Sequence, residues 1–168
     1  VKKKSHYVDY NLFGTITGRL TTRRDSNPIL TMKSKFRELI KPTNSWLMSL
    51  DYNGAEIRTF LSLSGHEQPE EDIHKWNMTH LYGGSPIDRE EAKVRFFSSF
   101  YNPEDNSLTE SIYSRQHVLD AYYDGARVKT SFGRSIKVDQ RRAFNYVIQS
   151  TTADLTIDRA IALDKALE

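Results

Sequence analysis

In the run REEAKVRFFSSFY, Arg89, Lys93, Phe97 and Tyr101 stand four residues apart. On a helix that spacing sets all four along one stripe, roughly 18 Å long at about 1.5 Å rise per residue. One end of the stripe carries two cations and the other carries two aromatic rings. Arginine offers phosphate oxygens a fork of donors and lysine offers a point charge. The rings present a face on which a base can stack. A nucleoside triphosphate has the same polarity, a polyanion at one end and a flat base at the other. Taken alone, the stripe has a simpler account, an amphipathic helix with buried rings and solvated cations.

Three further sets of polar residues have spacings that bear on chemistry. The apolar run WLMSLD, Trp46 to Asp51, reads as a buried strand ending on a carboxylate, a rigid support for a metal ligand. The alternative for Asp51 is a helix N-cap. Glu56 follows it, with a surface ion pair to Arg58 or a nearby residue as its simpler role. His74 opens the segment DIHKWNMTHLYGG, where a lone histidine is otherwise a surface residue. Near the end of the chain Arg141, Asn145 and Gln149 stand four apart, opposite Phe144, Val147, Ile148 and Leu155. Such donors and acceptors suit the DNA minor groove, where base pairs present similar acceptors, and a solvated helix face is the plain alternative. No pair of histidines is spaced with acids as a zinc site requires.

The elements that must position these residues mix short strands with helices. Residues 6–22 alternate and read as strands joined at glycines, and residues 36–40 and 46–51 read as further strands. Helical spacing begins after Asp51, with Ile57, Phe60 and Leu61 apolar and Gly65 as the stop. An acidic loop, residues 66–72, separates it from the helix around Ile73, Trp76 and His80. Ser85 and Pro86 read as the cap and first turn of the central helix. A polar loop over residues 103–108 leads to a helix expected from Thr109 to Gly125. A hairpin about Phe-Gly-Arg over residues 127–139 follows, and the remainder reads as helix. The fold class is therefore α+β.

At 168 residues the chain fits one domain or two small subdomains with a real core. Hydrophobic content of 38% and charged content of 27% are those of a soluble globular protein. No run reaches the length of a membrane span, and the opening VKKKSHYVDY lacks the apolar segment of a signal peptide, so no membrane is expected. The absence of cysteine excludes disulfides and thiolate metal sites and fits a reducing compartment. Net charge is only +2, but residues 1–24 set Lys2, Lys3, Lys4, Arg19, Arg23 and Arg24 against Asp9 alone. That end is either a basic face for phosphate backbone or a solvated lysine-rich end.

The motifs TGRLTT (Thr17 to Thr22), DYNGAEIR (Asp51 to Arg58), DIH (Asp72 to His74), RxxxKxxxFxxxY (Arg89 to Tyr101) and RxxxNxxxQ (Arg141 to Gln149) occur in that order over nearly the whole chain. Together they resemble the family A DNA polymerases, the bacterial DNA polymerase I group and its phage relatives, whose corresponding motifs include TGRLSS, DYSQIELR and RxxxNxxxQGTAAD. The resemblance implies a partial right-hand polymerase, an antiparallel palm sheet with helical fingers. Residues 1–65 would form the first part of the palm, 66–137 the fingers, and 138–168 a helix returning to the palm. It implies transfer of a deoxynucleotide to a primer 3′-hydroxyl on primer-template DNA, in the cytoplasm of a bacterium or phage-infected cell.

The roles carried over follow the motifs. Asp51, with the Tyr52 carbonyl, would hold Mg²⁺, of which two ions are expected, and Asp51, Tyr52 and Lys93 would form the catalytic set. Arg89, Lys93, His74, Phe97, Tyr101 and Glu56 would bind the dNTP, with Glu56 against the sugar's 2′ position and Phe97 near its 3′-hydroxyl. Arg19, Arg141, Asn145 and Gln149 would touch DNA. The chain departs from the family at Gly54, usually Gln, at Asn102, usually Gly and here expected to accept a left-handed turn, and at Ser150, usually Gly. The family's thumb and its Val-His-Asp-Glu motif, source of a second carboxylate, are expected outside this sequence, on a second polypeptide or a missing segment. The alternative is a catalytically incomplete nucleotide- or DNA-binding module.

Overall fold

The computed structural model describes residues 8–42, 45–83, 86–108 and 111–167. The chain divides into two compact units, Val1–Asp51 and Tyr52–Glu168. Both strands and helices are present, so the expected α+β class holds: six helices and two small antiparallel sheets among the described residues.

In the first unit the alternating stretch forms a short ribbon, β1 (Tyr10–Asn11) paired with β2 (Thr21–Thr22), Tyr10 opposite Thr22 and Asn11 opposite Thr21. The loop between them passes so close to β2 that a Cβ on Gly14 would lie 1.9 Å from the Thr21 hydroxyl oxygen. Only glycine fits there. Two expected strands do not form. The segment 36–40 instead contributes to a one-turn helix, α1 (Ser34–Arg37). The run Trp46–Leu50 has no ladder partner among the described residues and is exposed, Trp46 at 88% and Leu50 at 67%. An apolar run becomes a strand only where a neighbour supplies hydrogen bonds and a face to pack on, and among the described residues β1 and β2 pair only with each other.

The second unit is built on helices, and the core lies here. Helix α2 (Ala55–Leu63) buries Ile57, Phe60 and Leu61. Helix α3 (Ile73–His80) buries Ile73, His74 and Asn77, and α4 (Arg89–Tyr101) buries Ala92, Phe96 and Phe100. Helix α5 (Arg115–Tyr122) contributes Val118. The hairpin of β3 (Arg127–Lys129) and β4 (Ser135–Lys137) turns at Phe132-Gly133-Arg134 as expected, with Val128 opposite Ile136 inward. Helix α6 (Gln140–Leu167) buries Ala143, Phe144, Val147 and Ile148. Phe60, Phe96, Phe100, Tyr113 and Phe144 meet mostly edge to face, with centroids 4.8–6.3 Å apart. Such pairs add to the stabilisation that their buried area already gives.

Helix ends differ from the expectations in three places. The N-cap of α4 is Asp88, whose carboxylate accepts the Glu91 amide at 2.8 Å; of the expected cap, Ser85 lies outside the described residues. Helix α5 starts at Arg115 rather than near Thr109, itself outside the described residues. The Ser111 hydroxyl bonds Leu108 and Tyr113 there, and the turn drives Tyr113 into the core. Asn102 is extended, with φ −82° and ψ 110°, not left-handed. Its side chain takes the Glu104 amide, and Arg115 donates to the Asn102 and Asp105 carbonyls, so side chains hold the turn that glycine would have allowed.

Candidate nucleotide and nucleic-acid site

The four stripe residues are all half-buried along α4, beside the fully buried Ala92, Phe96 and Phe100. At the aromatic end, Phe97 and Tyr101 are nearly parallel, 6.0 Å apart with 11° between planes. The Tyr101 hydroxyl donates to Glu56 Oε2 at 2.6 Å, bringing α2 against the end of the stripe. Glu56 thus bonds a ring of the stripe, and the ion pair with Arg58 does not form. Arg58 instead donates to three backbone carbonyls, Asn53 at 2.9 Å, Pro69 at 2.7 Å and Glu71 at 2.8 Å.

At the cationic end the charges are answered by carboxylates. Arg89 Nη2 lies 2.8 Å from Asp72 Oδ2 and Nη1 lies 2.7 Å from Glu90 Oε1. Lys93 Nζ is 3.9 Å from Glu90. The Arg89 guanidinium, with further help from the Lys75 amide and Asn53, holds the Asp72 carboxyl well below the usual carboxylate range against the opposing effect of burial. Asp72 also caps α3, accepting the His74 and Lys75 amides at 3.0 Å each.

His74 is buried, 3% exposed, its ring 6.0 Å from Phe97. Its Nδ1 has no hydrogen-bond partner among the described residues. Burial pushes its pKa down, aided by Arg89, with Asp72 opposing. A neutral imidazole with an unspent nitrogen therefore lies beside the stripe.

The expected DNA-facing residues divide. Arg141 is exposed on α6, while Asn145 and Gln149 are half-buried. Asn145 Oδ1 is buried with no partner among the described residues. A cleft of about 500 Å³ is lined by Tyr101, Arg115, Phe144, Arg141 and Asn145 among others, so it joins the aromatic end of α4 to the first turns of α6. Gln149 lies outside this lining. Arg19 is exposed in the first unit.

Asp51 ends the first unit and is exposed. It is not a helix cap, because the N-cap of α2 is Gly54, with φ +62°. Its expected rigid support is missing, since residues 46–50 form no strand. Among the described residues no three His, Asp or Glu side chains gather as a metal group would require. Sequence reasoning passed over Asp72, Asn53 and Glu90. Asp72 stood inside the DIH motif, and an acid followed within three residues by amides at a helix start is a cap signal. No family model and no curated protein matches this chain.

Proposed function

We propose that this chain is the nucleotide- and template-binding portion of a template-directed DNA polymerase of the family A type, a partial right hand whose remaining parts lie on another polypeptide or further sequence. The observation that carries the reading is the stripe on α4. It has two cations at one end and a parallel ring pair at the other, and the Glu56 carboxylate closes the aromatic end through the 2.6 Å bond to Tyr101. The neighbouring cleft supports it by joining that end to Arg141 and Asn145.

In this reading Arg89 and Lys93 take the phosphates, exchanging Asp72 and Glu90 for phosphate oxygens, and His74 adds a neutral contact. Phe97 and Tyr101 carry the base and sugar. Glu56, held by Tyr101, crowds the 2′ position. Arg141, Asn145, Gln149 and Arg19 meet primer-template DNA. Asp51 and the Tyr52 carbonyl are oxygen donors of the kind Mg²⁺ accepts. They fill only part of its shell, so phosphate oxygens, water and another carboxylate must complete it. When bound, the ions would activate the primer hydroxyl and offset charge on the leaving group.

Primer extension by the chain with deoxynucleotides and Mg²⁺, beside an Asp51→Ala control, tests the reading. Extension abolished by the control is expected once the complementing part is supplied. With the chain alone, deoxynucleotide binding weakened by Lys93→Ala is expected. No binding in either form would overturn it. A catalytically incomplete module is the second reading, favoured by the unladdered run before Asp51. It expects nucleotide or DNA binding and no extension whatever is added.

A further inference from the structure

Asp72 stands at the meeting point of three elements. Its Oδ1 accepts two amides at the start of α3. Its Oδ2 accepts from Asn53 Nδ2 at 2.6 Å. Arg89 Nε lies 3.2 Å from both oxygens, and Nη2 completes the fork at 2.8 Å. Asn53 is fixed in turn, because its Oδ1 accepts the Ile73 amide at 2.9 Å and Arg58 donates to its carbonyl. The carboxylate therefore cannot follow Arg89 if that side chain moves. Glu90 is different, an exposed side chain on the same helix as Arg89, paired with Arg89 and Lys93. Each of the three guanidinium nitrogens is thus engaged by a carboxylate, and a phosphate approaching Arg89 competes with them.

We propose that Asp72 is a positioning residue for Arg89, a fixed carboxylate that holds the arginine until a polyphosphate takes it, and that ties this exchange through Asn53 to the segment immediately following Asp51. This rests on the nucleotide reading of the stripe. Affinity for phosphate is then a difference between two partners of one guanidinium, and removing the protein's own partner strengthens binding. Asp72→Asn is the suitable change. Asparagine caps a helix as well as aspartate, yet it loses the charge and turns amide donors toward Arg89.

The test is calorimetric titration of the chain with inorganic tripolyphosphate, for wild type, Asp72→Asn, Arg89→Ala and the double variant. Asp72→Asn is expected to bind about two- to five-fold more tightly, the range for one partly exposed ion pair. On the Arg89→Ala background the same exchange should leave affinity unchanged. A merely structural role would lower affinity and thermal midpoint together. Unchanged or weaker binding by Asp72→Asn overturns the inference, as does an equal gain without Arg89. If wild type binds and Lys93→Ala weakens it but the Asp72 gain is missing, this inference alone fails. If nothing binds, the nucleotide reading fails with it. Should Asp72→Asn not fold, the carboxyl ¹³C shift of Asp72 in the wild type decides. It moves on adding tripolyphosphate if Arg89 leaves, and stays if it does not.

Discussion

The Tyr101 hydroxyl donates at 2.6 Å to Glu56, a half-buried carboxylate. Tyr101→Phe keeps the ring and removes that donor, so about 1 kcal/mol of stability should be lost, read from the denaturant midpoint. On the nucleotide reading, Glu56→Ala, which removes the same bond, should cost a similar amount and should narrow the preference for deoxynucleotides over ribonucleotides in a binding titration. His74 sets a pH dependence. Its folded pKa lies below the ordinary 6.5 because burial disfavours the charged ring. The unfolded chain therefore binds the proton first as pH falls. Stability is full above about 6.5 and declines as pH drops toward the lowered value. A thermal midpoint that falls between pH 7 and pH 5 in the wild type, and falls less in His74→Gln, is the expected result.

At the scale of elements, the start of α2 depends on Gly54. Its φ of +62° is the left-handed region, and a Cβ there would lie 2.3 Å from Ile73 Cγ2. Gly54→Ala should cost about 1–3 kcal/mol, seen as a lower midpoint in a circular-dichroism melt. The helices were largely legible in the sequence because their apolar residues recur with helical period: Ile57, Phe60 and Leu61 on α2, Phe96 and Phe100 on α4, Val147 and Ile148 on α6. The stripe was legible for the same reason. The lack of strands at 36–40 and 46–51 was not, because alternation and apolar content say nothing about whether a partner strand exists. The start of α5 was missed because a serine hydroxyl bonding locally at Ser111 outweighs helix propensity. The role of Asp72 was hidden because it joins residues 19 and 17 positions away, Asn53 and Arg89, which no local spacing reveals.

For the whole molecule, the aromatic cluster in the second unit carries the folded state. Tyr113 is fully buried, and its hydroxyl donates to Asn77 Oδ1 at 2.7 Å, while Asn77 Nδ2 has no partner among the described residues. Burial pushes the Tyr113 phenol far above its usual pKa, with the Asn77 bond opposing. Tyr113→Phe strips the buried amide of this bond and should cost about 1–3 kcal/mol. Phe60→Ala opens a cavity at the centre of the cluster and should cost about 3–5 kcal/mol. Both are read from equilibrium unfolding followed by tyrosine and tryptophan fluorescence. The three carbonyls held by Arg58 have a mechanical consequence. Pro69 and Glu71 in the loop before α3 are tied to Asn53 at the start of α2 by a single planar group. Residues 69–72 are thus a weld rather than a hinge. Any displacement of α4 must bend elsewhere, with α2 and the first turn of α3 travelling as one body. Slow hydrogen exchange at the Ile73 amide, lost in Arg58→Ala, would be its signature.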